Sequence, residues 1–330
     1  MEHPFTTFTN ILRQQVIEPI EYAVQSFDPE QPNYNPPLQQ ALYSQGLVPV
    51  ANRTTRERAM QIIEIPPSFC RNNSALLSIN ELQFFENVTR IGNNAFRLCT
   101  NLSTAILPHG LRYIESEAFS NCTSLHTIIL PYNIEQITTK CFEECVNLSN
   151  IKIGENTRDI LGYAFYNCGM EEVIIPQNIQ NIFPTAFNGC KNHDRIIVHP
   201  DNANYFNDEN GLLYNKIENV LIICPKGKTS ENLEIKVNIS TIGPYSFYGV
   251  YNVKSITIPS SVNRIDSYSF SMGGHVQTFK CLSETPPSLG SNNPFGNASE
   301  TTLYVPSQSV DTYKNNSKWN VFKEILPIEE

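Results

Sequence analysis

Nine cysteines and six histidines are the side chains of this 330-residue chain best suited to nucleophilic, redox or metal chemistry. The cysteines are Cys70, Cys99, Cys122, Cys141, Cys145, Cys168, Cys190, Cys224 and Cys281. An odd number cannot all pair within one chain. Cys141 and Cys145 have the spacing of a ligand pair, but a zinc site needs about four converging ligands. The histidines are His3, His109, His126, His193, His199 and His275. His193 and His199 fall near Asp194 and Asp201, the one local His/Asp cluster and the only place where acid–base or metal chemistry has a starting point. Asp201, Asp208 and Glu209 could suggest calcium. They match no EF-hand spacing and have no flanking helical pattern, so they read as a solvated turn. No phosphate-binding loop, dinucleotide glycine fingerprint, zinc-protease motif or serine elbow is present. The expectation is a non-enzymatic chain without a cofactor. An enzyme using the N-terminal region or the His193 to Asp201 coil is the minor alternative.

The cysteines are better explained by their spacing. Cys99, Cys122, Cys145, Cys168 and Cys190 each follow a phenylalanine by three residues, in IGNNAF (91–96), IESEAF (114–119), ITTKCF (137–142), ILGYAF (160–165) and IFPTAF (182–187). Two further copies, IGPYSF (242–247) and IDSYSF (265–270), carry Val250 and Gly273 at the cysteine position. Successive Phe spacings are 23, 23, 23, 22, 60 and 23. One soft, small residue at one repeat phase is a packing ladder of free thiols, and Cys141 occupies an alanine slot. A short strand-like stretch ending in Pro or Gly follows, as in LHTIILP (125–131), LSNIKIG (148–154), MEEVIIP (170–176) and VKSITIP (253–259).

A period of 22 to 23 residues lies in the leucine-rich-repeat range. Each coil buries its apolar face only against its neighbours, so the stack alone has a core. The expected architecture is an α/β solenoid: a right-handed superhelix with short parallel strands, 22–23-residue coils and irregular terminal caps. The segment around Ala-Phe, as in SEAFSNC (116–122), is expected to be one short helical turn.

The regularity breaks in three places. Residues 1–75 lack the repeat and read as a helical cap, an accessory region or a partly ordered tail. Helices are expected in 8–27 and 54–63, with a proline-rich connector at 31–40. Weak repeat-like strands are expected from LLSINELQFF (76–85). The solenoid spans 76–280, with a long irregular coil or hairpin at 200–240. There GLLYNK and NVLIICP read as two strands joined near Ile217 to Asn219. Residues 281–330 read as a C-terminal cap holding the single tryptophan, Trp319, since terminal repeats must cover an open core.

The formal net charge of -9 and the absence of a basic run argue against nucleic-acid binding. No apolar stretch approaches the roughly 20 residues of a membrane span. The first residues lack a secretory pattern, which favours an intracellular protein or export by an unrecognised route. Nine Asn-x-Ser/Thr sequons occur. Those at Asn101, Asn121 and Asn147 lie where an Asn side chain could instead bond to the backbone of a tight turn.

The motif I-x-x-x-AF-x-x-C-x-x-L-x-x-I-x-I-P, best seen at IESEAFSNCTSLHTIILP (114–131), resembles the BspA-type (Treponema pallidum-type) leucine-rich-repeat family. The passages 211–228 and 284–319 are also similar to it. The resemblance implies a surface protein that adheres to host cells or matrix proteins, with no shared catalytic residues. Localisation is therefore left between a cytoplasmic reading of the residues and a surface reading of the resemblance. The expected activity is recognition of a protein or peptide through the solenoid face, with an intracellular scaffold as the alternative. The residues expected to face outward from the strands are Thr127, Ile129, Asn150, Lys152, Glu172, Ile174, Ser255 and Thr257. A one-residue error in phase would exchange the two faces.

Overall fold

The computed structural model describes residues 36–49, 54, 56–190, 195–227, 231–235, 238–271, 276–296 and 298–329. The helix expected in 8–27 lies outside the described residues. So do His3, His193, Asp194 and His275, and the sequon residues Asn52 and Asn297.

The chain is a right-handed solenoid of short, mostly parallel strands. Each regular coil contributes two strands rather than the single one expected. The longer lie in Thr104–Ile106, Thr127–Ile129 and Asn150–Lys152, which pair in register, and in Glu172–Ile175 and Arg195–Val198, which form a separate pair. A second ladder, in two separate stretches, is built from two-residue strands ending in the motif isoleucine. These are Arg90–Ile91, Tyr113–Ile114, Gln136–Ile137, Asp159–Ile160 and Asn181–Ile182. The isoleucines Ile91, Ile114, Ile137, Ile160 and Ile182 are all buried, so this ladder carries the motif's first residue into the core.

The Ala-Phe segment is not the helical turn expected. It is a chain of tight turns with two left-handed residues per coil: Asn94 and Leu98, Glu117 and Asn121, Lys140 and Glu144, Tyr163 and Asn167. Alternate N–H groups serve different partners. Ala95, Arg97 and Cys99 donate within the coil to Gly92, Asn94 and Phe96. Asn94, Phe96 and Leu98 donate instead to Ser116, Ala118 and Ser120 of the next coil, at 3.1, 2.8 and 2.9 Å. A helical turn would leave those carbonyls of the next coil unbonded, and buried polar backbone must be paired. Inter-coil pairing therefore wins over the local preference against positive φ, which costs roughly 1–2 kcal/mol for a residue with a side chain.

Behind the turns the phenylalanines form a continuous stack. Ring centroids are 5.2, 5.6, 5.6 and 5.4 Å apart from Phe96 through Phe119, Phe142 and Phe165 to Phe187, with interplanar angles of 13° or less. Cys224 interrupts it: its N–H donates to Ser246 at 2.7 Å, the bond that a phenylalanine makes in the other coils. The stack restarts with Phe247, Phe270 and Phe295.

At this interruption residues 205–223 form an antiparallel meander of Tyr205–Asn207, Leu213–Asn215 and Val220–Ile223. Alternation along it divides the interior. Leu213, Ile222 and Ile223 join the core of the first coils, whereas Leu212, Tyr214, Leu221 and Cys224 join that of the last. Asn202, 1% exposed, anchors its start: the amide donates to Pro176 and Ile179, and its oxygen accepts from Asn204 and Tyr205. The Tyr205 hydroxyl accepts from the Ile182 N–H and donates to the Gln180 carbonyl, replacing the missing short strand.

The ends depart from the repeat. Residues Pro36–Ser44 are helical where a proline-rich connector was expected, and Arg56–Ala59 form one helical turn. Pro36 opens the first helix, where its missing N–H would be unbonded in any case. Residues Asn80–Phe84 form a 3₁₀ helix instead of a strand, leaving Ser78 as a single bridge to Thr104. At the other end Trp319, 1% exposed, donates its indole N–H to Pro287, and Tyr313 donates to Ser283. A fully buried tryptophan with its one donor satisfied is a packing residue.

Candidate binding face

Among the described residues, the cysteines are committed to structure. All nine cysteines are free and buried. Each ladder thiol donates to a carbonyl of the preceding coil: Cys122 to Phe96, Cys145 to Phe119, Cys168 to Phe142 and Cys190 to Phe165, at 3.0–3.2 Å. Cys99 makes the equivalent bond to Cys70. The recurring phase of the ladder thus holds a side chain small enough for the turn and able to reach across one coil.

Burial also raises the thiol pKa values, to about 11 for Cys99 and about 12 for Cys145 and Cys190. The ordinary value is 9.0, so the folded chain keeps protons that the unfolded chain releases above that pH. The stabilisation is complete below pH 9 and is lost progressively as pH rises through 11 to 12. Urea midpoints are therefore expected to fall steadily above pH 9, and a thiol reagent at pH 8 should label the chain only after unfolding. Rapid labelling of the native protein would contradict the burial described.

Two other candidates make local contacts. His199 Nδ1 accepts the Asp201 N–H at 3.1 Å, a local turn contact. Asp208 accepts from the N–H groups of Asn210 and Leu212 and from the Tyr214 hydroxyl, which makes it the organiser of the meander turn. Among the described residues no group of three or more His, Cys, Asp or Glu side chains could hold a metal ion. Asn101 and Asn147 donate their amides to Ser74 and Thr123 of the preceding coil, and Asn121 is one of the left-handed residues.

The longer strands alternate cleanly. Ile128, Val173 and Ile256 point into the core, while Thr127, Ile129, Glu172, Ile174, Ser255 and Thr257 are partly exposed and Lys152 is exposed. Asn150 lies at the same register as Thr127. The structure thus places these eight residues on three stretches of strand ladder. Thr127, Ile129, Asn150 and Lys152 share one sheet, Glu172 and Ile174 belong to the next, and Ser255 and Thr257 stand beyond the meander. Sequence reasoning missed their neighbours. Ile106 pairs with Ile129 and Ile197 with Ile174, both partly exposed. Thr278 and Lys280 continue the row beside Ser255 and Thr257. The same strand-before-proline signal in TAILP and RIIVHP could have found the first two.

The outward positions change chemistry from coil to coil. Isoleucines at 106, 129, 174 and 197 surround the single charge of Lys152, whereas Glu234, Thr257, Lys280 and Tyr304 hold the equivalent positions beyond the meander. Glu172 is engaged by Arg195 of the adjacent strand, through the guanidinium Nε at 2.7 Å. On the turn side, Tyr163 packs edge-on to Tyr166 and Tyr245 stacks on Tyr268, an exposed aromatic group announced by YAFY (163–166) and YSFY (245–248).

Comparison with known proteins bears on this architecture. The pattern of the BspA type leucine rich repeat region matches in six copies, over residues 67–194 and 225–320. The unmatched interval between them contains the meander. No curated protein matches the chain. Among solved structures, a leucine rich cell surface protein from Faecalibacterium prausnitzii is 18% identical with a TM-score of 0.57, covering 82% of this chain and 84% of that one. A leucine-rich repeat protein from Eubacterium ventriosum is 18% identical with a TM-score of 0.53, covering 90% and 78%. The pneumococcal vaccine antigen PcpA is 15% identical with a TM-score of 0.51, covering 74% and 78%. At these identities the likenesses show the fold.

Proposed function

Since the chain belongs to the BspA-type leucine-rich-repeat family, we propose that it is a non-enzymatic binding protein that recognises a protein or peptide through its strand face, in adhesion to host cells or matrix proteins. The observation that carries this reading is the contrast between the two faces of each longer strand. The inward residues stay apolar to maintain the stack, whereas the outward ones vary among Thr, Ile, Lys, Glu and Ser on a fixed spacing. A rigid surface of varied side chains binds without paying for ordering at the moment of association. Its proposed contact residues are Thr127, Ile129, Asn150, Lys152, Glu172, Ile174, Ser255 and Thr257. The description of one similar structure as a cell surface protein, and of another as a vaccine antigen, supports a surface location. No described helix is long and apolar enough to cross a membrane.

An intracellular scaffold is the second reading, favoured by nine cysteines buried as free thiols, the form kept in a reducing compartment. Surface labelling of intact cells separates the two. An adhesin is labelled before lysis, whereas labelling only after lysis supports the scaffold.

A further inference from the structure

The first five longer strands carry more than a mixed surface. Their second outward position reads Ile106, Ile129, Lys152, Ile174, Ile197, a row of isoleucines with one cation at its centre. The four isoleucines are partly exposed and the lysine is exposed. Lys152 makes no ion pair among the described residues, and the nearby carboxylate of Glu172 is already held by Arg195.

The row has ends. Before Ile106 the chain turns into the 3₁₀ helix of residues 80–84. After Ile197 the next coil offers no parallel strand: Ile196 donates to Gly211 of the meander, and Val198 to the Asn207 side chain. Paired strands lie about 4.8 Å apart, so four steps give a row about 19 Å long or slightly more, since the ladder is interrupted between Lys152 and Glu172.

This spacing discriminates among partner shapes. An extended strand laid along the row would present one face about every 6.6 Å, and a polyproline helix about every 9.3 Å. An α-helix presents residues i, i+3 and i+7 at rises of about 4.5 and 6 Å, close to one residue per coil. We propose that Ile106, Ile129, Lys152, Ile174 and Ile197 form a docking row for an amphipathic α-helix of about 15 residues. Its apolar residues sit on the isoleucines, and a carboxylate at its centre meets Lys152. The proposal rests on the strand-face reading above and narrows it to one half of that face. Beyond the meander the equivalent row is Glu234, Thr257, Lys280, Tyr304 and Leu326, whose first three places are polar or charged and break any apolar track.

The test uses the full chain and a synthetic helical peptide with leucines at i, i+3, i+10 and i+14 and glutamate at i+7, followed by fluorescence anisotropy. Saturable binding is expected, and Lys152→Glu should weaken it about tenfold or more, with recovery when the peptide glutamate becomes lysine. Lys254→Glu, beyond the meander, should leave binding unchanged. Equal binding of a scrambled peptide, tighter binding of a proline-rich peptide, or indifference of the Lys152→Glu variant to the peptide's central charge would overturn the helix. The same variants are assayed on immobilised fibronectin and on host cells. Loss of that binding in an Ile129→Arg/Ile174→Arg variant, without any binding of the helical peptide, removes the helix but keeps the face. Unchanged fibronectin and cell binding in that variant removes the strand-face reading itself.

Discussion

Phe142→Ala is expected to destabilise the protein by about 3–5 kcal/mol in urea unfolding, the range for truncating a buried aromatic side chain. Phe142 is fully buried, with its ring stacked at 5.6 Å on both Phe119 and Phe165. Truncation removes the ring's own burial and leaves two neighbouring rings facing a void. Stability in a solenoid is a sum of nearest-neighbour interfaces, so the lesion weakens two of them at once. The loss is a large part of the roughly 5–15 kcal/mol by which folded domains are stable, and an uncoupled unfolding of the two ends is the expected form. Phe142→Leu should recover more than half of the loss by refilling most of the volume. Tyr132→Ala, at a side chain 64% exposed, should change stability by less than about 0.5 kcal/mol. A Phe142→Ala effect no larger than that of Tyr132→Ala would show that the rings do not hold the coils together.

The second large effect is expected at Gly189. It has φ +85, and a Cβ there would collide with the side chain and backbone nitrogen of Asn167 in the preceding coil. The corresponding positions in earlier coils hold Leu98, Asn121, Glu144 and Asn167, all left-handed with side chains. What differs at Gly189 is that the Asn167 side chain lies directly against it, which leaves no room for a Cβ. Gly189→Ala should cost about 2–4 kcal/mol, combining left-handed strain with overpacking against a neighbour that is itself hydrogen-bonded to Glu144. Gly249 provides the control. Its φ is +73, but a Cβ there meets only the flexible end of Lys226. Gly249→Ala should therefore cost about 1 kcal/mol, the conformational part alone. Equal costs at the two glycines would mean that the Asn167 side chain moves aside.

These two positions also show where sequence reasoning succeeds and stops. The phenylalanine stack was legible because one large apolar residue recurs at a fixed phase, and only stacked coils bury it. The thiol ladder was legible for the same reason, though not the bonds from each thiol to a carbonyl one coil back. The left-handed turns were not legible. Leu98, Glu117, Lys140 and Tyr163 carry no local signal for positive φ, which is imposed by hydrogen bonds to the next coil. The two-residue strands at Arg90–Ile91 and Tyr113–Ile114 are too short to show alternation. On the candidate face the phase was left open, because three aliphatic residues stand in a row in HTIILP and in EEVIIP, and it is the burial of Ile128 and Val173 that sets it. Its extent was not legible either, since Ile106 and Ile197 join the row through pairing between coils.

The central claim is that the strand face, and not the turn side of the same coils, carries recognition. It is tested most directly by measuring adhesion of the purified full chain to immobilised fibronectin and to host cells, beside two variants of matched stability. Ile129→Arg/Ile174→Arg places two charges on the strand face, and Tyr163→Arg/Tyr268→Arg places two on the exposed aromatic turn side. The account predicts at least a tenfold loss of adhesion for the first variant and near-native adhesion for the second. Near-native adhesion of the strand-face variant, with loss in the turn-side variant, would contradict it.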